Sequence, residues 1–167
     1  MNQPLHYGGL CSLYFYTSLS SYKSLNNSHR NNNWKKWNYF DYQLHNGIYF
    51  LSFFEKTNFP LYSGIQNVKL SSTKKIIGTF KDFVSSSVDI NIAKSFMQQK
   101  GILLIFDKTF RGTEYRYACC SVSWISDYGE FEWVFRRAFQ DFENTFELEL
   151  IHDDGNIQIA TVTRHEH

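Results

Sequence analysis

The sequence is poor in the residues that staple or punctuate small folds: of 167 residues, 3 are cysteine and 2 are proline. Cys11, Cys119 and Cys120 are too few and too unevenly spaced for a disulfide framework, and adjacent Cys119 and Cys120 would point to opposite faces of a strand. Reduced, intracellular thiols are expected. Charge of one sign is missing as well, since 17 basic and 16 acidic side chains leave a net charge of +1. No overall field then draws the chain to nucleic acid or to an acidic membrane. No run reaches the roughly 18 apolar residues of a membrane span, and the N-terminus lacks the basic-then-apolar order of a secretory leader. A soluble cytoplasmic protein with neither a membrane nor a nucleic-acid partner is expected. What the sequence does have is aromatic residues, 19% of the chain within a hydrophobic fraction of 43%. That content excludes wholesale disorder and predicts a core of Phe, Tyr and Trp in a single domain.

Helical signals come early and strand signals late. Residues 18–33 are a run of Ser, Asn and Lys, side chains that compete with the backbone for hydrogen bonds, and are expected to form a loop. From Trp37 the residues Phe40, Leu44, Ile48 and Leu51 recur at three- and four-residue spacing, predicting an amphipathic helix to about Phe54. After Pro60, Leu61 to Ile65 reads as a short strand entering a turn. Phe83 to Ser87 is a β-like step into a helix capped by Asp89, with Ile92, Ala93, Phe96 and Met97 as its buried stripe and Gly101 at its end. Ile102 to Phe106 is a continuous apolar run suited to a strand covered on both faces. Further strands are predicted at Tyr117–Trp124, Phe131–Phe135, Phe146–Ile151 and Asn156–Thr163, the last pair joined by a turn at Asp153-Asp154-Gly155. The order argues for an α+β domain with a mostly antiparallel sheet, residues 1–56 forming a loop and helical region and residues 57–167 a β-rich core. No internal repeat, phosphate-binding glycine loop or cysteine-based zinc motif is present.

Two local patterns carry chemistry. In an extended Gly129-Glu130-Phe131-Glu132-Trp133 segment, Glu130 and Glu132 share one strand face, roughly 6.6 Å apart, while Phe131, Trp133 and Phe135 face the other. Such a pair is either a paired-carboxylate site or an ordinary solvated strand face. The separation also lies near the lower end of that used by inverting glycoside hydrolases, roughly 6.5–9.5 Å. Ser85 and Ser87 likewise share one face, where their hydroxyls either bind a polar ligand or end a strand and cap a helix. Trp34-Lys35-Lys36-Trp37 beside Arg30 interleaves basic and aromatic residues but reads as a solvated helix start, and His152, His165 and His167 lack partners at metal-ligand spacing, so no metal is expected.

Taken in order, these pieces resemble the catalytic domain of the mono-ADP-ribosyltransferases of the Arg-Ser-Glu class. That family has a strand with Tyr-Arg-Gly, a Ser-Thr-Ser strand leading into a helix with Ala-x-x-Phe, and a Glu-x-Glu segment. Here Tyr62-Ser63-Gly64, Ser85-Ser86-Ser87 with Ala93 and Phe96, and Glu130-Phe131-Glu132 stand in those places. The resemblance implies a split antiparallel sheet with N-terminal helices, NAD as substrate, and an acceptor protein modified on a side chain, with Glu-x-Glu pointing to arginine. It further implies that Glu132 binds the ribose 2′-hydroxyl of NAD and stabilises the oxocarbenium-like state, that Glu130 orients or deprotonates the acceptor, and that Ser85 holds Glu132 and the ribose. Tyr62, Ser63, Gly64, Ser87 and Phe96 would complete the NAD site, Gly64 offering its backbone to the nicotinamide amide. Where the family carries Arg this chain has uncharged Ser63, with Lys69 as the neighbouring cation. A transferase-like module that binds a protein or nucleotide partner without efficient turnover is the other reading of the same resemblance.

Overall fold

A computed structural model describes residues 5–55, 59–71, 75–107, 118–126, 132–137 and 145–165. Helices α1 (Tyr7–Thr17), α2 (Leu19–Arg30) and α3 (Asn38–Ser52) precede strands β1 (Leu61–Gln66), β2 (Lys75–Gly78) and β3 (Val84–Ser87); then come helix α4 (Ile90–Met97) and strands β4 (Gly101–Phe106), β5 (Cys119–Ser121), β6 (Glu132–Phe135), β7 (Phe146–Asp153) and β8 (Ile157–Arg164). The strands form one sheet in the order β2-β7-β8-β4-β1-β3-β6-β5. Every described pairing is antiparallel except β4 with β8. The expected α+β architecture is what the chain adopts, and among the described residues no helix is long and apolar enough to cross a membrane.

The largest departure from expectation is at residues 18–33, where α2 replaces the predicted loop. Tyr22, Leu25, Asn26 and His29 recur at helical spacing and turn inward, Leu25, Asn26 and His29 fully buried. The stripe is helical, but two of its four members are polar, so a hydrophobic pattern does not reveal it. α3 follows its predicted apolar stripe, Leu44 and Ile48 being wholly buried, after a 3-10 turn at Trp34–Trp37. Each such side chain contributes about 1.5–3 kcal/mol by leaving water. In α4 the cap is as expected, Asp89 Oδ1 accepting from Asn91 N at 2.8 Å. Phe96 is a correction to the expected stripe: Ala93 and Met97 are buried, but Phe96 is 60% exposed. The helix ends at Gln98, in a left-handed conformation, before Gly101 is reached. β5 is shorter than the predicted strand because residues 122–126 wind into a turn; Tyr117 and Phe131 lie outside the described residues.

Strand alternation sorts the core into two faces. One face carries Leu61, Val84, Ile102, Leu104, Phe106, Cys119, Trp133, Phe135, Ala160 and Val162, with the Phe106 and Phe135 rings stacked at 4.4 Å between centroids. The other face is covered twice. α4 lies over β1, β4 and β8 through Ala93, Met97 and Leu103, and α1–α3 lie over β3, β5 and β6 through Leu13, Tyr16, Leu25, Leu44, Ile48, Phe83, Cys120 and Val134. Cys119 and Cys120 fall on opposite faces, as expected of neighbours in a strand.

The approach of α4 depends on Gly64. A Cβ there would sit 1.8 Å from Ala93 O and 2.9 Å from Met97 N, both backbone atoms of the helix. Gly64→Ala is therefore expected to push α4 off the sheet and cost about 2–3 kcal/mol. Urea unfolding measures this, and an unchanged midpoint would contradict the packing described.

Candidate active site

β1 and β3 meet through a single register pair, Tyr62 with Ser87, in contrast to the six consecutive pairs that join β1 to β4. The sheet is thus divided into β2-β7-β8-β4-β1 on one side and β3-β6-β5 on the other. Ser63 strengthens the junction, its Oγ donating to Ser85 O at 2.8 Å. On the far side of β3 the register places Ser87 opposite Glu132 and Ser85 opposite Val134. Directly paired residues share a face and so do residues two apart. Tyr62, Ser85, Ser87 and Glu132 therefore stand together on the helix-covered face, where α4 ends on one side and α1–α3 begin on the other. Tyr62, Ser85 and Glu132 are half-buried and Ser87 is buried.

The groups around this band are polar. Ser126 Oγ is 3.1 Å from Glu132 Oε2, and the Glu132 carbonyl accepts from Val122 N at 2.9 Å. From the helical side come the buried Tyr16 phenol and the buried Asn26 carboxamide, the phenol set against Ser85 and Asn26. Burial, and then the neighbouring Tyr22, raise the Tyr16 phenol well above its ordinary value, with Ser85 and Asn26 opposing and Glu132 adding to the rise. Tyr22 is raised by burial too, while Arg30 pulls it down and Glu132 pushes it up. Both phenols stay neutral near pH 7, offering hydroxyls rather than charge.

No protein-family model matches the sequence, and no curated protein sequence matches it. Solved structures do match. Exoenzyme S from Pseudomonas aeruginosa, in complex with human 14-3-3 protein beta and bound to carba-NAD, superposes with a TM-score of 0.70 at 14% identity, over 96% of this chain and 75% of that one. A mutant of the eukaryotic mono-ADP-ribosyltransferase ART2.2 in complex with NAD gives 0.67 at 16% identity, over 98% and 69%. The ADP-ribosyltransferase Vis in complex with agmatine gives 0.67 at 13% identity, over 97% and 76%.

The chain has the mono-ADP-ribosyltransferase fold. Within that fold the residues singled out in the sequence fall into three groups. Tyr62, Ser85, Ser87 and Glu132 converge as described, although the Ser87 hydroxyl accepts from Asp89 N at 3.0 Å and so also shapes the turn into α4. Ser63 and Gly64 adjoin them on β1 but are otherwise occupied. Ser63 is buried, faces away from Glu132 and binds a backbone carbonyl; Gly64 is the seat of α4. Phe96 is 60% exposed on α4, and Lys69 lies near Asp153, whose carboxyl is lowered first by the Gln158 hydrogen bond and then by Gly155 N, with the Lys69 charge a smaller contribution. Glu130 lies outside the described residues.

Four residues of this ADP-ribosyltransferase fold were not singled out for the site by sequence: Tyr16, Asn26, Arg30 and Ser126. Arg30 Nε donates to Asp82 Oδ2 at 2.6 Å, and the guanidinium is otherwise unengaged among the described residues and 63% exposed along its side chain. Its sequence neighbourhood suggested only a solvated stretch. The readable signal is the helical spacing of Tyr22, Asn26 and Arg30, which aligns all three along one edge of α2.

Proposed function

We propose that this protein is an NAD-dependent protein mono-ADP-ribosyltransferase, a glycosyltransferase that moves ADP-ribose from NAD to an arginine side chain. The observation that carries the reading is the register of β3 on β6. It sets Glu132 opposite Ser87 and diagonal to Ser85, at the divided junction of a sheet whose fold is that of known transferases. The residues fit the substrate: hydroxyls and one carboxylate meet a ribose, and Arg30 offers a fork of donors to a diphosphate. Exoenzyme S and ART2.2 are bound to carba-NAD and NAD respectively, which supports the same ligand here.

In this reading Glu132 accepts the 2′-hydroxyl of the nicotinamide ribose and lies against the positive charge that develops on that ribose. Stabilisation of developing charge by a fixed group is usually the largest catalytic contribution. The bond from the ribose C1′ to the pyridinium nitrogen breaks, its electron pair leaves with neutral nicotinamide, and an acceptor nitrogen bonds to C1′ and gives up a proton. Ser85 holds the ribose and Glu132, Tyr62 and Ser87 line the same face, and Glu130 takes the acceptor. A guanidinium acceptor matches a carboxylate pair, and agmatine, the ligand of Vis, is itself a guanidine.

Ser63 supports a second reading, a module that binds NAD or a partner with little turnover, because it supplies no charge to the diphosphate. Calorimetric titration of the Glu132→Gln variant with NAD, beside an assay of nicotinamide release by the unaltered protein with agmatine as acceptor, separates the two. Saturable heat with release supports the transferase, saturable heat without release supports the module, and no heat at millimolar NAD removes both NAD readings. Arg30→Ala in the same titration is expected to weaken NAD binding about tenfold at low salt. Equal affinity with and without Arg30 would remove it from the diphosphate site.

A further inference from the structure

Glu132 opens β6, and the turn at residues 122–126 is wound so as to meet it. Val122 N donates to Glu132 O at 2.9 Å, and Ser123 Oγ donates to the same carbonyl at 3.4 Å. Ile125 N and Ser126 N both donate to Val122 O at 2.9 Å, closing a helical turn. Val122 and Ile125 anchor that turn in the core beneath α1–α3. The result is the 3.1 Å approach of Ser126 Oγ to Glu132 Oε2. An ionised carboxylate only accepts, so the Ser126 hydroxyl is the donor.

We propose that Ser126 is a positioning residue for Glu132, holding its carboxylate ionised and in one orientation. The proposal rests on the transferase reading above and deepens it. A hydrogen bond to the charged form favours that form, and it also selects one rotamer of a half-buried glutamate whose three side-chain torsions would otherwise vary. A reacting group has to be held within a fraction of an ångström to act well, and a donor fixed to the protein core does this better than water. The Glu-x-Glu pattern does not include Ser126, which lies six residues before Glu132. Among the described residues, the Tyr16 phenol of α1 and the Tyr22 phenol of α2 feel the Glu132 charge, and both are neutral through the acid range; Glu130, two residues before Glu132 in sequence, is the carboxylate whose titration has to be followed beside it.

The test uses the full chain with carboxyl-13C-labelled glutamate, the Glu132 signal being assigned by its loss in Glu132→Gln. Ser126→Ala is expected to raise the Glu132 titration midpoint by about half to one pH unit. Ser126→Thr, which keeps the hydroxyl, should follow the unaltered protein. In nicotinamide release, Ser126→Ala should lower kcat about tenfold with KM for NAD unchanged, and the acid limb of the kcat profile should move up with the NMR midpoint. A midpoint that stays put in Ser126→Ala overturns the proposal whatever turnover does. So does a loss of turnover that threonine fails to restore. If the midpoint moves in a protein that releases no nicotinamide, the contact is upheld and the transferase reading is the one that falls.

Discussion

If the proposed transferase activity holds, Glu132→Gln is expected to lower nicotinamide release from NAD by on the order of a hundred- to a thousandfold, the usual consequence of removing one group aimed at developing charge. The substitution is nearly isosteric. The amide oxygen can still accept from Ser126, and the bonds from Val122 N and Ser123 Oγ to the Glu132 carbonyl do not depend on the Glu132 side chain. Folding stability is therefore expected to stay within about 0.5 kcal/mol of the unaltered protein. NAD affinity should change only a few-fold, because the lost charge matters more to the transition state than to the bound substrate. Release rates measured beside urea unfolding check both halves. A variant that keeps a tenth of the original rate would take Glu132 out of the chemistry, and one that fails to fold would show that its place at the head of β6 is structural.

Legibility in the sequence followed how far each element obeys a simple period. β4, with both faces covered, shows as an unbroken apolar run, and α3 as a stripe of Leu44, Ile48 and their neighbours. Ser85, Ser87 and Glu132 could be set on shared faces by alternation alone, and the register of β3 on β6 joins those faces. β2 was not foreseen; it is four residues long and pairs with β7 at the sheet edge, where half its side chains are exposed. The helical cover was the least legible part. α1 contains two glycines that suit a close crossing, since a Cβ on Gly47 would lie 3.1 Å from Gly9 O, and α2 buries Asn26 and His29 where a hydrophobic stripe would put leucine. The contributions of Tyr16, Asn26 and Arg30 to the site come from those helices. A strand motif could not locate them, because the residues they meet are more than fifty positions away in sequence, as in the pair of Arg30 with Asp82, which lies just before β3.

Asp41→Asn is expected to cost about 3–5 kcal/mol of folding stability, the largest effect of any substitution argued for this chain. Asp41 of α3 is buried among groups that need its charge. Arg137, just beyond the end of β6, donates from Nε to Asp41 Oδ1 at 2.8 Å and from Nη2 to Oδ2, and His29 Nε2 of α2 is 3.3 Å from Oδ1. One helical turn along α3, His45 Nδ1 accepts from Arg136 Nε at 2.7 Å. Two adjacent arginines thus fasten the strand that begins at Glu132 to the helices that roof the site. Burial alone would raise the Asp41 carboxyl, but the hydrogen bonds from His29 and Arg137 and the Arg137 charge outweigh it and hold it at about 2, against an ordinary 3.8. Burial, followed by the Arg136 charge, presses His45 well below its ordinary 6.5. Both depressions act in the same direction. The unfolded chain takes up protons that the folded one refuses, so stability is full above pH 6.5 and falls on acidification. His45 acts first, as the pH falls below 6.5, and Asp41 adds about 2 kcal/mol as the pH drops from 3.8 towards 2. His45→Asn keeps an acceptor near the position of Nδ1 while removing the titration, so urea unfolding of that variant should lose much less stability between pH 7 and pH 5 than the unaltered protein does. Matching slopes would show that the acid sensitivity lies elsewhere. With a total folding stability of about 5–15 kcal/mol for a domain of this kind, Asp41→Asn leaves little in hand. Loss of the helical roof then carries Tyr16, Asn26 and Arg30 away from the face that presents Glu132.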